Sequence, residues 1–204
     1  VRFPSGKFCF KPCRSNVIWS YAVAYGVGGA NRPYGPKDRI VWHECGHLAV
    51  LCYLMSINQG CEISPGLGQS WTGKTLPPSV PSPMPSNRDE WLALVACSWG
   101  GKAAVEVAID RMVLRVAPPG IEIDHGDHGF YGDDNSDYAC ACEHSASAQA
   151  AGFTNDWKSF YAEGHAAARE VIEANFMKIE SLVGYLMKKQ VLTEAETLVI
   201  LKPV

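Results

Sequence analysis

The sequence of 204 residues predicts a mainly helical α+β domain with a small β-sheet. Three features predict it. An apolar run from Ile40 to Met55 has helix start signals before it, Pro36 and Asp38, and stop signals after it, Asn58 and Gly60. From Tyr161 to Lys189 the apolar positions Val171, Ile172, Phe176, Ile179, Leu182, Val183 and Leu186 keep a helical period. Between these lie two short strand-like segments, Cys61 to Ser64 and Trp71 to Thr75.

The length suits one domain with its own core, taken as residues 38–204 with an N-terminal segment, 1–37, packed on it. A 47% hydrophobic, 19% charged chain with net charge −3 is not basic enough to argue for nucleic acid or an anionic membrane. Arg2, Lys7, Lys11 and Arg14 followed by the uncharged run Val17 to Ala30 are faintly similar to a signal peptide. Gly26, Gly28 and Gly29 interrupt that run and it is too short to span a bilayer, so a packed segment is expected. No membrane span is expected anywhere in the chain, and a soluble, cytoplasmic protein is favoured. The eight cysteines are too sparse for a disulfide scaffold. Cys52 and Cys97 lie in apolar helical context, while Cys9 and Cys13 stay open between a disulfide and half a metal site.

Within the first helix stands His43-Glu44-Cys45-Gly46-His47, an HExxH pattern. Residues four apart share a helix face, so the two imidazoles can reach one point. Zinc suits such ligands, and a catalytic zinc takes three protein ligands and keeps a position for water. Glu44 projects about 100° away, close enough to touch that water and badly placed to be a ligand, which fits a general base. Cys45 points away from the metal, toward the packing.

Further along, Gly68 to Thr75 matches the phosphate-loop pattern GxxxxGK[ST] letter for letter. Such a loop needs a helix opening at its Lys and Thr, whereas Pro77, Pro78, Pro81, Pro83 and Pro85 follow here. A strand and turn leading into a polyproline-like loop is expected, and no ATP binding. Ser86-Asn87-Arg88-Asp89 caps a helix from Arg88 to Ser98; Gly100-Gly101 breaks or pinches it, and Lys102 to Val116 continues helically. The Gly pair would admit a neighbouring backbone. Residues 120–137 form a Gly- and Asp-rich loop leading into a helix from about Ser136 to Ala151. That loop offers Asp124, His125, Asp127, His128, Asp133, Asp134 and Asp137 as the third ligand, and spacing does not choose among them. His144 and His165 are expected to pack or face solvent, and Thr193-Glu-Ala-Glu196 is a capping box opening a short last helix.

Five segments, in order, resemble the peptidase domain of the FtsH family, the AAA zinc metalloproteases. Asp38 to Val50 resembles its zinc helix, usually HEAGH, with Cys45 in place of Ala. Trp71-Thr-Gly-Lys-Thr75 resembles its edge strand beside the active site. Trp99-Gly-Gly-Lys-Ala-Ala-Val-Glu106 resembles its LGGRAAEE segment, Asn135-Ser136-Asp137-Tyr138 its SND segment, and Ala167 through Leu192-Thr193 its closing helices. The resemblance implies a small sheet beside the zinc helix, Zn²⁺ held by His43, His47 and Asp137, Glu44 as catalytic base, and Trp71, Thr72, Gly73, Lys74 and Thr75 as the strand that binds substrate. It implies an endopeptidase acting on peptides or unfolded polypeptides. No segment resembles the family's ATPase module or membrane anchor, so ATP-independent cleavage is expected, with a separate ATPase or self-association as the partner to look for. The alternative from a different class is a catalytically silent zinc module of the same fold.

Overall fold

The computed structural model describes residues 35–66, 71–75, 85–115 and 137–202. The N-terminal segment with Cys9 and Cys13, the proline loop and the candidate ligands Asp124 to Asp134 lie outside the described residues. In chain order the elements are α1 (Pro36–Met55), β1 (Cys61–Pro65), β2 (Trp71–Thr75), α2 (Arg88–Asp110), α3 (Asp137–Ala150), α4 (Trp157–Ala174), α5 (Phe176–Lys189), β3 (Val191–Leu192) and α6 (Glu194–Leu201). The fold is mainly helical with one small antiparallel sheet, as expected from the sequence.

Helix α1 is the centre of the molecule. Gly35 caps it in an extended conformation, and Pro36 stands in its first turn, where a missing N–H costs nothing. Every residue from Ile40 to Cys52 is buried, because α2, α4, α5, α6 and the sheet surround the helix. Ile40, Val41 and Leu48 are almost fully enclosed, and each such side chain contributes about 1.5–3 kcal/mol by leaving water. The helix stops at Ser56 in the left-handed region (φ 54°), ahead of Asn58 and Gly60.

The widest packing of α1 is on α2, and glycines set how close the two come. A Cβ on Gly46 would fall on the carbonyl oxygen of Gly100 and lie 2.6 Å from the Ala104 Cβ; one on Gly100 would lie 2.9 Å from the Gly46 oxygen. Backbones therefore touch at this crossing. Gly46→Ala is expected to destabilise the fold by about 1–3 kcal/mol through overpacking. A urea midpoint equal to wild type would show that the helices can separate freely.

Helix α2 differs from its predicted form. It runs unbroken through Gly100-Gly101 and ends at Asp110, six residues before Val116. The glycine pair pinches without breaking, since each residue keeps helical backbone while α1 fills the space beside it. Asn87 is the N-cap, its Oδ1 accepting from the Glu90 N–H at 3.0 Å. By length and apolarity α2 would suffice to cross a membrane, contrary to the expectation that no segment qualifies. Most of its apolar window is buried under α1, α3 and α4, the situation of a core helix.

The expected single stretch from Tyr161 to Lys189 is two helices. Asp156 caps α4, accepting from the Lys158 N–H at 3.0 Å, and the helix closes at Asn175. There Asn175 leaves helical backbone geometry (φ −115°, ψ 18°), and both its backbone N–H, at 3.1 Å, and its Nδ2, at 2.9 Å, donate to the Val171 carbonyl. Helix α5 follows and stacks Phe176 on Trp42 of α1, centroids 5.4 Å apart. The Thr193–Glu196 capping box opens α6. The sheet order is β2-β1-β3, both pairings antiparallel. The two-residue β3 was missed in the sequence because nothing so short carries an alternation.

His144 and His165 both pair outside the α1 motif. His144 Nδ1 and Ser98 Oγ are 3.3 Å apart, and burial pushes His144 down to about 4, so it is neutral near pH 7. His165 Nε2 lies 2.9 Å from Glu106, which also meets Arg169 Nη1 at 3.4 Å and Lys102 at 3.8 Å. Burial alone would raise the Glu106 carboxyl; His165, Lys102 and Arg169 reverse this and hold it below its ordinary 4.5. A depressed folded pKa contributes stability above the unfolded value and loses it as pH falls through the folded one. The urea midpoint is thus expected to drop more steeply below about pH 4.5 in wild type than in Glu106→Gln. Parallel slopes would remove Glu106 from the acid response.

Candidate metal centre

Three side chains from two distant parts of the chain converge beside α1. His43 and His47, one turn apart, present Nε2 atoms 3.1 Å from each other. Asp137, 90 residues beyond His47 and the first residue of α3, brings Oδ2 to 2.9 Å from His43 Nε2 and 3.1 Å from His47 Nε2. All three are at least 94% buried. A tetrahedral ion holding such donors at about 2.0–2.1 Å would space them about 3.3–3.4 Å apart, so the triangle needs to open by only a few tenths of an ångström.

The surroundings fix the donors. His47 Nδ1 lies 2.7 Å from the Cys97 carbonyl of α2, which can only accept, so Nδ1 carries hydrogen and Nε2 is the atom aimed at the centre. Gly101 lies so close to His43 that a Cβ there would overlap three atoms of the imidazole. The sequence flagged the glycine pair for close approach; its partner proves to be a ligand ring as well as a backbone. The Cys97 carbonyl had no signal in the sequence, because a main-chain acceptor has no letter.

The charges of the three side chains are coupled. Burial would raise the Asp137 carboxyl, yet His47 and His43 hold it well below the usual carboxylate range, so it is ionised. Burial would lower His47, but the adjacent Asp137 charge and hydrogen bond hold it well above its ordinary value. Among the described residues Asp137 Oδ1 is buried with no hydrogen-bond partner. Such an orphan oxygen on a buried carboxylate costs on the order of 1–3 kcal/mol, more when charged. A cation among Oδ2 and the two Nε2 atoms would offset the buried carboxylate charge, and the group can hold a metal ion.

Glu44 sits next to this triangle, fully buried, and burial pushes its carboxyl up. The Thr75 hydroxyl donates to Glu44 Oε2 at 3.1 Å. Trp71, Gly73 and Thr75 share one face of β2, toward α1: Lys37 of α1 lies over Trp71 at 4.7 Å, and Gly73 abuts the Glu44 carboxyl. On the opposite face Thr72 meets Ser64 at 3.0 Å and Lys74 meets Glu62 at 3.3 Å. Of the five residues expected to serve substrate, Gly73 and Thr75 therefore face Glu44. Gly73, Lys74 and Thr75 lie in a strand and not at the helix start that a phosphate loop needs. Among the described residues no strand pairs with the outer edge of β2.

Cys45 is buried in the core, as expected, and the six described cysteines form no disulfide with one another. What fold and site define is a helical domain with a buried two-histidine, one-aspartate group able to hold a metal ion, and a carboxylate beside it. No protein-family model matches the chain, and no curated protein matches it.

Proposed function

We propose that the chain is a zinc-dependent endopeptidase of the FtsH peptidase type, cleaving peptides or unfolded polypeptides. One observation carries the reading: the HExxH imidazoles of α1 meet a carboxylate 90 residues beyond His47, with Glu44 adjoining and, among the described residues, no fourth ligand in the group. Two imidazoles and one carboxylate suit zinc, and three ligands rather than four are the count of a catalytic site. Bound there, zinc would supply Lewis acidity, bringing the pKa of a water from 15.7 to about 7 and polarising a carbonyl.

The chain's own residues do the rest. His47 is held in one orientation by Cys97, and His43 is wedged against Gly101. The Glu44 carboxylate takes a proton from the attacking water and delivers it to the leaving amine nitrogen. The outer edge of β2 offers main-chain groups with which an extended peptide can pair, which favours unfolded chains over folded ones. The steps assigned to these residues need no ATP.

Full burial of Glu44 is the observation that favours the second reading, a silent zinc module. Cleavage of an unfolded casein-type substrate with and without chelator separates the two. Cleavage abolished by chelator and restored by zinc is expected; a chain that retains stoichiometric zinc and cuts nothing defeats the peptidase reading.

A further inference from the structure

We infer that β2 is the positioning element for the Glu44 carboxylate: Thr75 holds one oxygen and Gly73 leaves the space the group occupies. Its catalytic meaning rests on the proposed role of Glu44; the contact itself stands on geometry. A Cβ at Gly73 would lie 2.5 Å from Glu44 Cγ and 2.6 Å from Cδ, inside any tolerable contact. Two residues along, on the same face, the Thr75 hydroxyl reaches Oε2 at 3.1 Å. Glycine and threonine at alternate positions thus form a recess and a latch for one carboxylate.

The fit of this strand has a physical reason. A glutamate has three rotatable bonds, and a buried one left unanchored would sample orientations in which no proton could pass. The missing side chain at Gly73 makes room for the rotamer turned toward the sheet, and the Thr75 hydroxyl holds the carboxylate there. The strand is itself held in register by β1, Gly73 opposite Ile63 and Thr75 opposite Cys61. Its other edge is where a peptide would add. A single ladder therefore sets both the height at which a substrate carbonyl is presented and the orientation of the proton acceptor, which couples the two without any moving part.

The test uses the full chain loaded with zinc and labelled with ¹³C at glutamate side-chain carboxyls, the Glu44 resonance being assigned by its loss in Glu44→Gln. In Thr75→Val, which removes the hydroxyl and keeps the shape, that resonance is expected to move while zinc stays at wild-type stoichiometry. Thr75→Ser is expected to return it. On a fluorogenic peptide, Thr75→Val lowers kcat by about 10- to 100-fold with KM within about twofold, and Thr75→Ser recovers most of the loss. If the valine chain does not fold, Thr75→Ala takes its place. A Glu44 resonance unmoved by loss of the hydroxyl overturns the inference, as does a raised KM with unchanged kcat, which would assign Thr75 to substrate. A wild type that binds zinc and cleaves nothing, with the resonance still moving in Thr75→Val, overturns the peptidase reading and leaves the positioning role standing.

Discussion

Asp137→Ala is expected to leave the chain without its metal ion. The substitution takes away the one anionic donor of the three and leaves two imidazoles on α1 with nothing from α3 to close the triangle. Loss of a partner that merely orients a ligand costs about 10- to 100-fold in affinity, so loss of the ligand itself should exceed about 100-fold. The fold should survive, because the substitution removes the Asp137 charge and hydrogen bond that raise His47, and a neutral imidazole suits a buried site. Metal analysis after dialysis gives the answer. Full occupancy in the alanine chain would hand the third position to another carboxylate, with Asp124, Asp127, Asp133 and Asp134 as candidates.

Glu44→Gln is expected to keep the ion and lose the reaction, by about 10²- to 10⁴-fold in kcat. The amide preserves shape and can still accept from Thr75, and Glu44 is outside the donor triangle. It cannot take a proton. Because the carboxylate is fully buried and burial pushes its pKa up, replacing it with a neutral group removes a desolvation cost; the melting temperature should be unchanged or higher. Higher stability with lower activity is the signature of a group kept for chemistry. An undiminished cleavage rate would end the assignment of Glu44 as the base.

Other elements show where reading by pattern succeeds and where it fails. Helix α1 was legible at both ends because Pro36 and the apolar run are strong local signals. The Asn87, Asp156 and Thr193 caps act over two or three residues, a range that sequence carries directly, although only Asn87 and Thr193 were recognised. The break at Asn175 was invisible, since a helical period runs through it; packing of Phe176 on Trp42 gives α5 its place. The close approach of a neighbouring backbone at Gly100-Gly101 was legible, whereas the helix runs through the pair without the break that was the other possibility.

By itself the sequence determined the mainly helical class, the short β1 and β2 strands, and the stacking of His43 and His47 on one face, because these follow from contacts within a few residues. Only the tertiary structure decided that Asp137 meets them, that the Cys97 carbonyl orients His47, and that Thr75 and Gly73 enclose Glu44. Those contacts join residues 29 to 94 positions apart. Their geometry depends on how α1, α2, α3 and the sheet pack together, and no local pattern of letters encodes that distance.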